Sequence, residues 1–459
     1  MIVQQSDKKL SGEITIFLSL ILSVLLGFTT ILIESARLEA IKMNIEGVMD
    51  ASLHSCFGEY DIRLFDRYDL LYVDTSYRGE CNSGIDELIR HLVQYIRENT
   101  DYSSEMANAD WYKETIEDSH ATGYIFASDE DGKVMKAEAI DYIRNYSRIN
   151  YLGLIENNAA DIVELSADDG FMSEWDSLLT RIEIYGIFYS NPGRIVRNMM
   201  VSDERFMQGY ELKSMNNSDI PSARSLNRGR YANNLIKRAS DDEAFVEYIM
   251  QKMGCYTNNQ GQQALNCEIE YVINGSRSDA ENMGYIIERL MTIRENDNLK
   301  CLKNDEGRLI AAESKARMVV FPLEDELLIR LVRDSIIYAW AYAESAIDVS
   351  RLLNKGMCLV RKSARDIELS LEELLFFWSK LDSSGGSGIS YKEYIGAFLL
   401  NTDDRLRRYR CMDIIECNFR SFYNDRFRID GCVSYLEAEV MMNSGYGYSH
   451  SIKRDYIYE

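Results

Sequence analysis

The sequence predicts an α+β protein: a long N-terminal helix that crosses a membrane and continues as an amphipathic stalk, then a mixed, helix-rich extracellular domain. Residues 14–33, ITIFLSLILSVLLGFTTILI, carry no charge and lie between Glu13 and Glu34. Twenty helical residues rise ~30 Å, the thickness of a bilayer's hydrocarbon layer. Beyond them Leu38, Ile41, Ile45, Val48, Leu53 and Cys56 recur at three- to five-residue intervals, which marks one apolar helix face. Further on, segments of helical period alternate with short strand-like runs such as LLYVD and CEIEYVI.

Composition narrows the function. With 3 Pro and 27 Gly among 459 residues, collagen-like and disordered readings fall away. Lys and Arg number 51 against 74 Asp and Glu, a net charge of −23. That balance opposes the counterion release on which nucleic-acid binding depends, so no nucleic acid is expected as a partner. The four histidines are scattered without a two-His metal spacing, and the nine cysteines form no C-x-x-C pair. No catalytic, cofactor-binding or metal-ligating residue is assigned, no cofactor is implied, and the chain is not expected to be an enzyme.

The first element is the most informative. Lys8 and Lys9 precede the apolar run as in a secretory signal, but the run exceeds the usual h-region, and ESARLEAIK follows in place of a small-residue cleavage site. A retained helix over residues 13–57 is the expectation, a rod of ~65 Å, half in lipid and half outside it. Basic residues nearly balance across the run. The short tail and the large C-terminal body then favour a single pass in the cell membrane, with the N-terminus cytoplasmic and the C-terminal domain extracellular. Residues 1–12 form a cytoplasmic tail or leader. The stalk either covers the body's core or packs with sister subunits.

The body divides into a mixed α+β region, 58–240, and a helix-rich α+β region, 241–459. LLYVD reads as a strand, IDELIRHLVQYIREN (85–99) as a helix, GYIFASDEDG as a strand and turn, and VMKAEAIDYIRNY (134–146) as a helix. Asp129, Glu130 and Asp131 before Gly132 read as turn formers and helix-start charges, not metal ligands. Residues 150–240 look irregular, with a polar exposed loop or hinge near 217–234. FVEYIMQKM then reads as a helix, CEIEYVI as a half-buried strand and ENMGYIIERLMTIRE as a helix. A helix of about thirty residues follows Pro322, and its apolar centre around Trp340 and Tyr342 supplies the core. Helices at 391–401 and 404–422 and a strand near 431–441 complete the body.

Two further stretches invite a site. DSSGGSGISYKE (382–393) parallels a calcium loop at Asp382, Ile389 and Glu393, but position 6 is Ser387 and only two carboxylates remain, which reads as a Gly/Ser turn capping a helix. Cys255 and Cys267 flank a short loop that a disulfide could close, contributing about 2–3 kcal/mol. Buried reduced thiols account for the same pair.

The block LSGEITIFLSLILSVLLGFTTILIESARLEAIKMNIE, followed by SCFGEYDIRLFDRYDLLYVD, resembles an uncharacterised family of single-pass proteins of clostridial-type bacteria. CEIEYVINGSRSDAENMGYIIERLMTIREN (267–296), AWAYAESAIDVSRLL (339–353) and ISYKEYIGAFLL (389–400) extend the likeness. That family is associated with the tight-adherence (Tad, or Flp-type) pilus and secretion apparatus and is similar to its pseudopilins. The resemblance implies a non-catalytic, pilin-like structural or assembly component. Its partners would be the lipid bilayer and other apparatus subunits, met through the N-terminal helix. It also implies cleavage by a prepilin peptidase after Gly12, although Phe17 then stands at the fifth mature position, where pilins usually carry Glu. The alternative is a membrane-tethered extracellular binding or adhesion module.

Overall fold

A computed structural model describes residues 6–80, 83–100, 114–146, 152–187, 191–215, 218–232, 241–382, 384–444 and 448–458. Residues 1–5 of the tail, Cys81, Ser383 and positions 217, 233 and 234 of the polar loop lie outside them.

Helix α1 (Ser6–Gly58) is followed by α2 (Ile62–Tyr68), β1 (Val73–Asp74), α3 (Ile85–Thr100) and β2 (Glu114–Phe126). Next come α4 (Asp129–Tyr146), α5 (Leu152–Ser166), α6 (Phe171–Glu183), α7 (Pro192–Asn198), α8 (Asp203–Phe206), α9 (Asp242–Lys252) and α10 (Glu268–Asn274). The long helices α11 (Asp279–Lys303), α12 (Glu306–Val320) and α13 (Glu326–Leu353) precede β3 (Met357–Cys358) and β4 (Ile389–Ser390). Helices α14 (Tyr391–Leu400) and α15 (Asp404–Phe422) and strands β5 (Cys432–Ser444) and β6 (Ser449–Ile457) finish the chain. The α+β expectation holds, with helices dominant.

Part of the acidic surplus is spent on helix starts. Asp61, Asp241, Asp305, Asp325 and Asp403 each accept a backbone N–H in the first turn of α2, α9, α12, α13 and α15. A carboxylate there satisfies orphan donors and faces the positive end of the helix dipole.

The main sheet is antiparallel. β5 is central: β2 lies along one edge, β1 pairs with its start and β6 covers its other edge. Residues from both sides of position 240 share this sheet. They also share a core cluster that runs from Leu64 to Cys432, so the loop there does not separate two cores. A second cluster surrounds α13, where Trp340 and Tyr342 are buried; the Trp340 Nε1–H donates to Leu369 O (2.8 Å), and Tyr342 Oη accepts from Val201 N (2.8 Å).

Four expectations change. CEIEYVI is α10, not a strand. Its alternation does not separate a wet face from a dry one, because every residue from Glu268 to Ile273 is buried. Glu268 accepts from Gly254 N (2.7 Å) and Asn418 Nδ2 (2.6 Å), and Glu270 from Tyr256 N (2.9 Å) and Tyr391 Oη (2.6 Å), so its polar side is internal. Residues 150–240, expected to be irregular, contain α5 to α8. The described part of the polar loop, residues 218–232, is tied down: Arg224 donates to Glu416 (2.6 Å) and Asp430 (2.6 Å), both fully buried, and Arg230 exchanges backbone bonds with Tyr124. Finally, β6 and the charged first half of β2 extend the sheet beyond the strands expected at 123–126 and 431–441.

Candidate membrane and assembly interface

Helix α1 is one continuous rod of 53 residues, about 80 Å long, in two chemically distinct halves. Every large apolar side chain from Ile14 to Ile33 is 40–67% exposed, and none of that stretch touches the body. Four of its hydroxyls are satisfied within the helix. Ser19 and Ser23 donate to Ile16 O and Leu20 O (both 2.8 Å), and Thr29 and Thr30 donate to Leu26 O (2.9 and 2.8 Å). A bilayer demands this internal satisfaction, since lipid offers no partners. It is the one helix among the described residues that is long and apolar enough to cross a membrane.

Past Glu34 the same helix turns inward. Ile41, Ile45, Met49, Leu53, Cys56 and Phe57 are buried against Leu88, Leu92 and Ile96 of α3 and against Leu436, Val440, Met442 and Ile452 of the sheet. This is the apolar face the spacing predicts. Polar clamps fix the helix at intervals: Asn99 Nδ2 donates to Ser52 Oγ (3.1 Å), Tyr95 Oη to Glu59 Oε1 (2.7 Å), and Arg454 pairs with Glu46 (2.8 Å) and Asp50 (3.3 Å). His91 stacks on Tyr77 at 3.6 Å and meets Glu59 at 3.1 Å. The stalk therefore covers the body's core. Gly12 lies within α1, and a Cβ placed there would meet nothing within 4 Å.

The remaining motifs are structural. Asp129 accepts from Phe126 N (2.7 Å) and Gly229 N (2.8 Å), and Glu130, Asp131 and Gly132 form a left-handed turn at φ 53°, 58° and 79°. Arg408 holds that turn by donating to Glu130 O (3.2 Å) and Asp131 O (2.8 Å). Asp382 is exposed and pairs with Arg205 (3.1 Å), while Glu393 caps α14 through Ser390. Gly388 stands at φ 119° where a Cβ would lie 2.3 Å from Cys358 O, so the antiparallel β3–β4 pairing requires glycine there. Cys255 and Cys267 do not form the bridge that their spacing allows: both thiols are free and buried, and burial pushes both up. The close-packed core around the segment joining α9 to α10 holds them as small apolar groups.

Sequence reasoning missed the buried charge networks. In the largest, Lys362 Nζ donates to Glu344 Oε1 (2.7 Å) and Asp348 Oδ1 (2.8 Å), and Arg294 Nε to Asp348 Oδ2 (3.1 Å). Glu344 also accepts from Glu368 N and Leu369 N, both at 3.0 Å. A signal existed: Glu344 and Asp348 stand four residues apart in the buried, otherwise uncharged centre of α13, where an acid needs a buried cation.

Fold and interface together define a class: an α+β body clamped onto a single long helix whose outer half is apolar and uncovered. The chain belongs to a family of unknown function (DUF5702), which matches residues 196–444. The matched stretch holds α13 and its charge network and β5, and leaves out α1. No curated protein and no solved structure matches the chain.

Proposed function

We propose that this protein is a membrane-anchored, pilin-like structural or assembly component of a Tad-type pilus or secretion apparatus, without catalytic activity. The observation that carries the reading is the division of α1. The large apolar side chains of residues 14–33 are uncovered by the described body, while the same rigid rod is gripped from Ile41 onward. A helix held at one end and free at the other can exchange lipid for the helices of neighbouring subunits without disturbing its own domain. The likeness of the N-terminal block to pseudopilins supports the same role, and the short tail and large C-terminal body favour a cytoplasmic N-terminus with the body outside the cell.

The test is a photo-crosslinking residue at Leu25 in the native membrane, with intact mass of the mature chain read in parallel. Crosslinks to other apparatus subunits are expected, with loss of residues 1–12 where a prepilin peptidase acts. A full-length chain that crosslinks only to lipid would overturn the assembly role and favour the tethered binding module.

A further inference from the structure

Strand β5 covers one side of β2. On the other side the single backbone partner among the described residues is Arg230, which exchanges two bonds with Tyr124 (2.7 and 2.9 Å) in the antiparallel sense. Further along, the Ser119 N–H is met by the exposed carboxylate of Asp118 (2.9 Å). A groove of about 850 Å³ runs beside this edge, walled by Ser119, His120 and Ala121 of β2 and by the stripe of α3 from Ile85 through Ile89 and Val93 to Arg97; Arg230 lines it as well. We propose that the groove binds an extended acidic segment of another polypeptide, which joins the sheet beside β2 as an antiparallel strand of alternating apolar and acidic residues.

Four features favour that occupant. An uncovered sheet edge offers a row of backbone donors and acceptors, and the Arg230 bridge is the start of a pairing that an added strand would lengthen. Length agrees: Ile85 to Arg97 spans about 18 Å of helix, which an extended chain covers in five or six residues. Ile89 and Val93 give alternate side chains of the added strand an apolar floor. Charge selects the others. Arg97 and Arg230 are exposed and pair with no carboxylate among the described residues, on a chain whose net charge is −23. Arg90 is already held by Glu87, and Asp86 stands in the first turn of α3, where the helix dipole favours it. A second copy of the chain fits poorly. The strands run alongside α1, since Arg454 meets Glu46 and Asp50 while Tyr458 reaches Phe57 O. Antiparallel pairing of two β2 edges would point two α1 rods in opposite directions, which copies anchored in one membrane cannot do. That exclusion rests on the membrane reading; the groove does not.

The experiment uses the full chain in a neutral maltoside detergent, titrated calorimetrically with an acetylated and amidated octapeptide of alternating valine and glutamate. Saturable binding is expected, with the valine–lysine counterpart roughly tenfold weaker. An added strand turns only alternate backbone groups toward β2, so two further peptides, N-methylated at every valine or at every glutamate, should differ: one binds about as the parent does and the other roughly tenfold more weakly. Arg97→Gln and Arg230→Gln, both at exposed side chains that the fold does not use, should each weaken the acidic peptide roughly fivefold. No saturable binding, equal binding of the acidic and basic peptides, or equal loss in both N-methylated peptides would overturn the proposal. So would unchanged affinity in both arginine variants. A dimer in sedimentation that the acidic peptide dissociates would assign the edge to a second copy and likewise overturn it.

Discussion

Removing the Asp348 carboxylate tests whether buried charge holds the body together. Asp348 and Arg294 are fully buried and Lys362 is 4% exposed. The aspartate accepts from Arg294 Nε (3.1 Å), Lys362 Nζ (2.8 Å) and Asn298 Nδ2 (3.2 Å). Asp348→Ala leaves Lys362 to Glu344 and Arg294 to Asp297 at 3.3 Å and two carbonyls. Breaking a buried pair from one side costs about 3–5 kcal/mol, because the remaining charge stays out of water. Lys362→Met should cost less, since Asp348 keeps Arg294 and Glu344 keeps two backbone N–H donors. Guanidinium unfolding in maltoside, followed by tryptophan fluorescence, reads the difference, because Trp340 sits on the same helix. Asp348→Asn should fall between parent and alanine variant. Burial alone would raise the Asp348 carboxyl, but Lys362 and Arg294 hold it below its ordinary value of 3.8. Its stabilisation is therefore present above about pH 4 and is lost as pH falls through the lower folded value, so Asp348→Asn should flatten the acid limb. Alanine and asparagine variants both within about 1 kcal/mol of the parent would refute the reasoning.

Two other perturbations follow from the same accounting. Burial pushes the Glu295 carboxyl up to about 8, with Arg197 opposing only in part, so the folded state holds a proton that the unfolded state releases above about 4.5. Stability should fall as pH rises from about 5 to 8, and Glu295→Gln should remove that slope and gain roughly 2–4 kcal/mol at pH 8. An unchanged slope in urea titrations at stepped pH would contradict this. In α1, fourteen large apolar residues lie between Ile14 and Ile33, worth roughly −4 to −8 kcal/mol for insertion. Each arginine near the centre costs about 2.5–3.5 kcal/mol. Leu25→Arg alone should therefore stay in the membrane, whereas Leu22→Arg with Leu25→Arg should shift the chain to the carbonate-extractable fraction. Retention of the double variant at the parent level would count against a spanning helix.

What was legible in the sequence depended on whether one physical signal dominated. The lipid-length run and the face from Ile41 to Cys56 were, because apolar periodicity has few other causes. Helices at 85–99, 391–401 and 404–422 were bounded by caps and turns and emerge within a residue of those limits. Charge misled. ETIEDSHAT and SIKRDYI carry little apolar alternation, yet both are strands, because they pair with β5 and leave one face in water; only Ile452 of β6 is deeply buried. CEIEYVI alternated for a different reason, its acids being internal hydrogen-bond acceptors. The groove beside β2 could not have been read, since Val93, Ser119 and Arg230 meet only after α3, β2 and the polar loop are in place.

The distribution of charge bears on how anchor and body divide their work. A net charge of −23 suggests a uniformly acidic surface. Many of the acids are instead inside: Glu268, Glu344, Asp348, Asp413, Glu416 and Asp430 are fully buried, and several bind cations from distant segments. Such networks demand specific partners, because a half-satisfied charge is costly, and they favour one arrangement of the body over its competitors. Residues 14–33 carry no constraint of that kind: they hold no charged side chain, and the hydroxyls of Ser19, Ser23, Thr29 and Thr30 return to their own helix. Lipid tails and the side chains of a neighbouring helix offer them similar apolar contact, so moving between the two changes little beyond packing. The body is thereby insulated from whatever surrounds the outer half of α1, and that independence is what the proposed exchange of lipid for neighbouring helices requires.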